Sequence, residues 1–300
     1  MAVRRFVVVL LAAAIASAPA AAQGSHPLEV VASFSILADL VHQVGSDRVT
    51  VDALVGRNAD AHAYEPSPAD SKRLAGAALV VVNGLGYEGW LDRLVAASGT
   101  RALVVVASAG VVPRVGAGAD DDHHAGTDPH AWQSVTNVAR YMTNIRNALS
   151  RADPDGASIY AANAAAYQAQ LAALDREIMD TVAGIPADRR RVITGHAAFG
   201  YFADAYGFVF VAPQGIAAEV EPSARAVARI ITQIKSESIS AVFLENVVDP
   251  RLARQIVRET GARIGGTIYS DALTGPDGPA PSYIALMRHN ARTLAAALSR

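Results

Sequence analysis

The stretch ASIYAANAAAYQAQLAALDREIMDTVA (157–183) constrains this chain more than any other, because it runs without a proline or glycine. Alanine dominates it, and Ile159, Tyr167, Leu171, Leu174 and Ile178 recur at helical spacing, so it is expected to form one long helix. At 1.5 Å per residue such a rod is about 40 Å long. Short apolar, β-branched runs lie on both sides of it. Before it come LEVVASF (28–34), VTVDALV (49–55), ALVVVNG (78–84) and ALVVVAS (102–108). After it come RRVITG (190–195), FVFVA (208–212), SAVFLEN (240–246) and GGTIYS (265–270). Helical patterns alternate with these runs, the signature of parallel sheets built from βα units. The expected fold class is therefore α/β: two lobes of parallel β-sheet with flanking helices, joined by one long rigid α-helix.

Helix boundaries between the strands are written in capping residues. Ser67-Pro68 opens a helix that Gly76 closes, and Asp249-Pro250 opens one that Gly261 closes. Each pairs a capping side chain and an early proline with a terminal glycine. Pro222-Ser223 opens a third, ARAVARIITQIKSE. The expected divisions are a leader at 1–22, a first lobe at 23–152, a linker helix at 153–184 and a second lobe at 185–300.

The leader reading rests on MAVRR, a short basic segment, followed by the apolar run FVVVLLAAAIASA and the small residues PAAAQ. That pattern is a secretory signal peptide with cleavage after Ala22. Its apolar run falls short of the ~20 residues a membrane span requires. The 300 residues contain no cysteine, so no thiolate can bind metal and no disulfide can form. The expected protein is periplasmic, soluble, free of a lipid anchor and monomeric. A net charge of −2 offers no basic face for nucleic acid.

Histidines then single out the chemistry. His42, inside ILADLVHQVG, reads as structural; His289 reads as solvent-facing; His26 lies in the mature amino terminus. His62, His130 and His196 differ, since each follows the carboxyl end of an expected strand and precedes a helix, as does Asp271. Ligands gather at those ends of open parallel sheets. Two such residues come from each half and would meet if the halves face one another. Three imidazoles and a carboxylate suit a transition metal such as Zn2+ and fill a tetrahedral shell, leaving no position for a reacting water. The pattern describes a site that holds a metal.

Six motifs carry a resemblance to a known family: HAYEPSPAD (62–70), DPHAW (128–132), TGHAAFGYFADAYGF (194–208), EPSARAVARIITQIK (221–235), VDPRLARQIVRETGA (248–262) and GGTIYSDAL (265–273). In this order they resemble the zinc- and manganese-binding solute-binding proteins of bacterial ABC importers, from about Glu29 to Arg300. The resemblance implies metal bound between two lobes by His62, His130, His196 and Asp271, and delivery to a membrane permease. Relatives of the manganese type carry glutamate where this chain has His196. Histidine there favours Zn2+ as the cargo, with Mn2+ as the alternative. Zinc members carry an acidic, histidine-rich loop before the second ligand, which is reduced here to Asp120, Asp121, Asp122, His123 and His124. Those residues are either an accessory capture site, which a periplasmic zinc metallochaperone could supply, or a solvated polar loop.

Metal-bound imidazoles usually donate their second N–H to a carboxylate or carbonyl. Glu245, ending a strand, is the first candidate, with Glu65 and Asp128 as alternatives. Trp132 and Phe199 are expected to wall the cleft. A secreted zinc hydrolase is the competing reading; it needs one of the four ligands to be dispensable and Glu245 to act as base. A surface adhesin is a third.

Overall fold

A computed structural model describes residues 26–116, 126–216 and 222–299. The expected leader and the cluster Asp120, Asp121, Asp122, His123 and His124 lie outside the described residues. In the amino-terminal half, β1 (Leu28–Phe34), β2 (Val49–Val55), β3 (Leu79–Val82) and β4 (Leu103–Val106) form a parallel sheet in the order β2-β1-β3-β4. Helices α1 (Ser35–Gly45), α2 (Pro68–Gly76) and α3 (Leu91–Ser98) connect its strands, and a two-residue antiparallel pair, β5 (Arg114–Val115) with β6 (Thr127–Asp128), follows. Next come α4 (Val135–Ala152) and the long α5 (Ala157–Ala183).

The second half repeats the topology. Strands β7 (Arg191–Ile193), β8 (Val209–Val211), β9 (Ala241–Glu245) and β10 (Arg263–Ile268) form a parallel sheet in the order β10-β9-β7-β8. Read from β8, its chain order matches that of the first sheet. Helices α6 (Gly200–Tyr206), α7 (Ala224–Ser236), α8 (Pro250–Thr260) and α9 (Tyr283–Leu298) complete it.

The caps fall where the sequence puts them. Asp70 accepts from the backbone N–H and hydroxyl of Ser67 at 2.6 and 2.8 Å, closing a capping box at the start of α2. Asp249 accepts from the Arg251 N–H at 2.8 Å, and Gly261 ends α8 at φ +77°, a left-handed conformation that costs glycine little. Along α5 the buried stripe is Tyr160, Ala164, Tyr167, Leu171, Leu174, Ile178 and Val182. Ile159, expected on that stripe, is instead 41% exposed, because Tyr160 continues the 3–4 spacing better.

One apolar cluster runs through both halves, from Val30 and Val81 in the first sheet through Leu171 and Leu174 of α5 to Phe243, Ile268 and Leu286. A smaller one, with Ile193, Ile230, Ile234, Val242 and Ile256, lies under α7 and α8. The long helix is therefore not the only joint. Tyr283 at the start of α9 donates its N–H to Asp39 of α1 at 2.8 Å, and Leu273 donates to Ser35 at 3.1 Å. Arg288 of α9 meets Glu177 of α5 at 2.8 Å. His289, expected to face solvent, is half-buried on this helix, with Nε2 2.9 Å from the Thr267 carbonyl. The helical pattern gave its angle but not the strand beside it.

Candidate metal centre

All four candidate ligands stand beyond the carboxyl ends of strands, and the fold brings them to one point. One donor atom from each of His62, His130, His196 and Asp271 lies within 4.8 Å of every other. His62 Nε2 is 3.1 Å from His130 Nε2. The Asp271 carboxylate turns one oxygen to His130 Nε2 at 3.6 Å and the other to His196 Nε2 at 3.1 Å. Four donors about 2.0–2.1 Å from a tetrahedral zinc ion would stand about 3.3 Å apart, so the cage is close to that size. His196 Nε2 and both oxygens of Asp271 are buried and face only the other members of the cage, with no well-aligned hydrogen bond among the described residues. Burying such groups unpaired costs free energy, and a cation placed among them would remove that cost.

Each ligand is held by its own support. The loop after β2 is pinned by the Trp90 indole, which donates to the Ala61 carbonyl at 2.9 Å. Asp60 accepts the His62 N–H at 2.8 Å, and Tyr64 anchors the far side of the loop on Asp70 at 2.8 Å. The His62 ring stands edge-on to Tyr87 with centroids 4.6 Å apart. His130 follows β6, where Asp128 Oδ1 takes its backbone N–H at 3.0 Å and contacts its Nδ1 at 2.8 Å. The preceding carbonyl, of Pro129, accepts from Asn83 at 2.9 Å, and Asn83 is in turn fixed by the Tyr141 hydroxyl at 2.6 Å.

His196 follows β7. Glu245, the last residue of β9, takes the backbone N–H groups of Gly195 and His196 on Oε1 at 2.7 and 3.1 Å. Its Oε2 lies 2.9 Å from His196 Nδ1. With Nδ1 of His130 and of His196 each facing a carboxylate, Nε2 of each ring is left to face the cage. That is the tautomer a metal needs. Asp271 follows β10, and the carbonyl before it, of Ser270, accepts from Trp132 at 2.8 Å and Gln133 at 2.7 Å. Ligand segments from the two halves are thus tied directly to each other.

Charge follows from this geometry. Burial drives the His62 pKa down to about 3, aided by its two imidazole neighbours and opposed by Asp271, so the ring is neutral at pH 7. Burial also opposes charge on His196, but Glu245 and Asp271 outweigh it and raise that pKa well above the usual imidazole range. Burial would raise Asp271; the imidazoles of His196 and His130 more than offset it and hold the carboxyl well below its usual range. A proton on His196 therefore balances the cage when no cation does.

Of the candidate supports, Glu245 contacts His196 and Asp128 contacts His130, so Asp128 does more than turn the chain before Pro129. Glu65 is exposed. Trp132 is buried with its ring 5.3 Å from that of His130, whereas Phe199 is buried in the apolar core, stacked on Phe210. Asn83 and Trp90, which fix two of the ligand loops, carry no signal in the sequence.

Residues 30–297 match the family described as zinc-uptake complex component A, periplasmic. The manganese-binding lipoprotein MntA of Halalkalibacterium halodurans is 36% identical over 91% of this chain and 89% of its own. The iron-binding protein YfeA of Yersinia pestis is 34% identical over 89% of this chain and 85% of its own. Among solved structures, the periplasmic zinc-binding protein TroA of Treponema pallidum superposes with a TM-score of 0.84 at 27% identity, covering 91% of this chain and all of that one. A manganese-bound periplasmic metal-binding protein (an S38A mutant) from Candidatus Liberibacter asiaticus gives 0.82 at 31% identity, covering 90% and 99%. The expectation of a protein without a lipid anchor departs from relatives whose names include lipoproteins, although the sequence here contains no cysteine. This chain belongs to the zinc-uptake component A family of metal-binding proteins that serve ABC transporters.

Proposed function

We propose that this member of the family binds one divalent cation through His62, His130, His196 and Asp271, with Zn2+ as its cargo, and hands it to the membrane permease of an ABC importer. The observation that carries the reading is the cage itself. Four donors converge, three of them are buried, and two imidazoles are backed by carboxylates that leave their inner nitrogens free to coordinate. Three imidazoles and one carboxylate favour zinc over a harder ion.

Manganese is the second reading, and one feature of the cage favours it. Asp271 offers both oxygens inward, which permits a fifth bond and suits an ion that prefers oxygen and a higher coordination number. A relative 36% identical to this chain is named as manganese-binding. The hydrolase reading finds no support in Glu245. That carboxylate is spent behind His196 on two backbone N–H groups and Nδ1, outside the cage, where it cannot reach a metal-bound water.

The reading carries the rest of the organisation with it. Residues 1–22 are removed on export, and the lobes 23–152 and 185–300 hold the cation on either side of helix 153–184. The protein works as a monomer in the periplasm. Asp120, Asp121, Asp122, His123 and His124 fall in the sequence between β5 and β6, shortly before His130, and would serve as an accessory capture site, loaded from solution or by a metallochaperone.

Purifying the mature protein without added metal and stripping it, then offering equimolar Zn2+ and Mn2+ and measuring the metal retained, tests the cargo. Retention of zinc in near-full occupancy supports the reading. Retention of manganese over zinc overturns the choice of metal, and retention of neither overturns the site.

A further inference from the structure

The two halves of the cage are joined by a side chain that belongs to neither pair of ligands. Arg114 begins β5 and faces Asp128 across the antiparallel pair. Its guanidinium lies 3.4 Å from Asp128 Oδ2, the oxygen that His130 does not use. The same group donates through Nε to Asp204 of α6 at 2.9 Å and through Nη1 to the Val115 carbonyl at 3.2 Å. The Arg114 backbone N–H donates to the hydroxyl of Tyr201, also on α6, at 3.0 Å. Helix α6 begins just after the His196 loop, so a continuous path runs from His130 through Asp128 and Arg114 to the helix that carries the far end of that loop.

Packing at Gly200, the first residue of α6, shows how close this approach is. A β-carbon there would lie 2.3 Å from the Arg114 guanidinium and 2.5 Å from Asp128 Oδ2. Glycine at that position lets the helix end press onto the pair. Charge gives a second argument. Asp128, Glu245 and Asp271 are all buried around the cage. A divalent cation offsets two of these charges, and Arg114 offsets the third. Asp204 is 64% exposed, so that arm alone is worth little; the buried arm to Asp128, 1% exposed, makes the arrangement more than a surface ion pair.

We propose that Arg114 is a positioning residue for metal retention, holding Asp128 behind His130 while fastening α6, and with it the His196 loop, to the β5–β6 pair. For the cation to leave, His130 and His196 must separate, and Arg114 stands between their supports. Its loss shortens the residence of the ion without removing a donor. The inference rests on the cage holding a divalent cation.

Stopped-flow release of Zn2+ from the loaded full-length mature protein into excess chromogenic chelator tests it, with metal-free melting temperatures taken alongside. Arg114→Met is expected to release zinc about tenfold faster, at the low end of the loss typical when a group supporting a metal ligand is removed. Its metal-free melting temperature should fall as well, because the buried Asp128 carboxylate loses its partner, and release is expected to quicken beyond what that fall accounts for. Gly200→Ala disturbs the same pair without removing a charge: its β-carbon would crowd both the guanidinium and Asp128 Oδ2 and so break their contact. It is also expected to speed release. His130→Ala serves as the control for the site and should not hold zinc. Wild-type release rates in both Arg114→Met and Gly200→Ala, with His130→Ala unable to hold zinc, would overturn the role of Arg114 and leave the cage standing. Faster release that merely tracked a fall in metal-free melting temperature would overturn it too. Tight zinc binding by His130→Ala would remove the cage, and the role of Arg114 with it.

Discussion

Glu245 reaches His196 from behind: one of its carboxylate oxygens lies 2.9 Å from Nδ1, while the other takes the histidine's own backbone N–H at 3.1 Å. Asp128 braces His130 with a single oxygen, Oδ1, which lies 2.8 Å from Nδ1 and takes the backbone N–H at 3.0 Å. Two residues far apart in sequence therefore solve one problem alike, fixing both the ring and the peptide that carries it. Glu245→Gln keeps the shape but loses the charge that makes Nε2 a stronger donor. It is expected to weaken Zn2+ affinity by roughly ten- to a hundredfold. Chelator competition measures this, and an unchanged affinity would mean that the carboxylate only braces the loop.

The proposed preference for zinc is tested at His196. Replacing it by glutamate puts a hard oxygen where an imidazole nitrogen stands. His196→Glu should lower zinc affinity by about tenfold or more and lower manganese affinity less, so the ratio of the two falls. Parallel titrations with the two ions read the ratio directly.

Proton release on binding follows from the two shifted histidines. His62, with its pKa lowered to about 3, is already neutral at pH 7 and gives up no proton. His196, raised well above the ordinary value, is charged in the metal-free protein and must lose its proton before Nε2 can bind a cation. Uptake should release about one proton at neutral pH. Zinc affinity should rise with pH, by up to about tenfold per unit, until the raised pKa is passed. Calorimetry in buffers of different ionisation enthalpy counts the proton; a buffer-independent heat would contradict this charge state.

Asn290 of α9 ties the Asp271 segment to the core. Its amide donates to the Tyr269 carbonyl at 2.7 Å and accepts the Tyr269 N–H at 2.8 Å, replacing the strand partner that this peptide lacks. Asn290→Ala leaves the Tyr269 N–H buried and unpaired and its carbonyl with only a long 3.5 Å bond from Gln133, so a loss of about 1–3 kcal/mol of metal-free stability is expected. Denaturant unfolding reads it, and a loss under about 0.5 kcal/mol would place water in the gap.

How much of this was legible in the sequence depended on the range of each signal. Strands from β-branched runs, helix starts at Ser67, Ser223 and Asp249, and the long α5 are local patterns, and they were read to within a few residues. The convergence of His62, His130, His196 and Asp271 was also legible, because His62, His196 and Asp271 follow strands whose carboxyl ends fix where their loops lie, and His130 sits in the DPHAW motif. The β5–β6 pair was not, since two residues a side, Arg114–Val115 and Thr127–Asp128, leave no periodicity to see. Links such as Trp132 to Ser270 or Arg114 to Asp204 join residues with no pattern in common, and only the assembled fold brings them together. The same limit explains His289, whose helical angle was clear while its contact with Thr267 was not.

The central claim is tested most directly by a competitive Zn2+ titration of the metal-stripped mature protein, run beside His130→Ala and a His123→Ala/His124→Ala double variant. One tight equivalent should vanish with His130 and survive loss of the other pair. Tight binding that survives His130→Ala but disappears with the pair would contradict the account, because the ion would then be held by the acidic loop and not by the cage of His62, His130, His196 and Asp271.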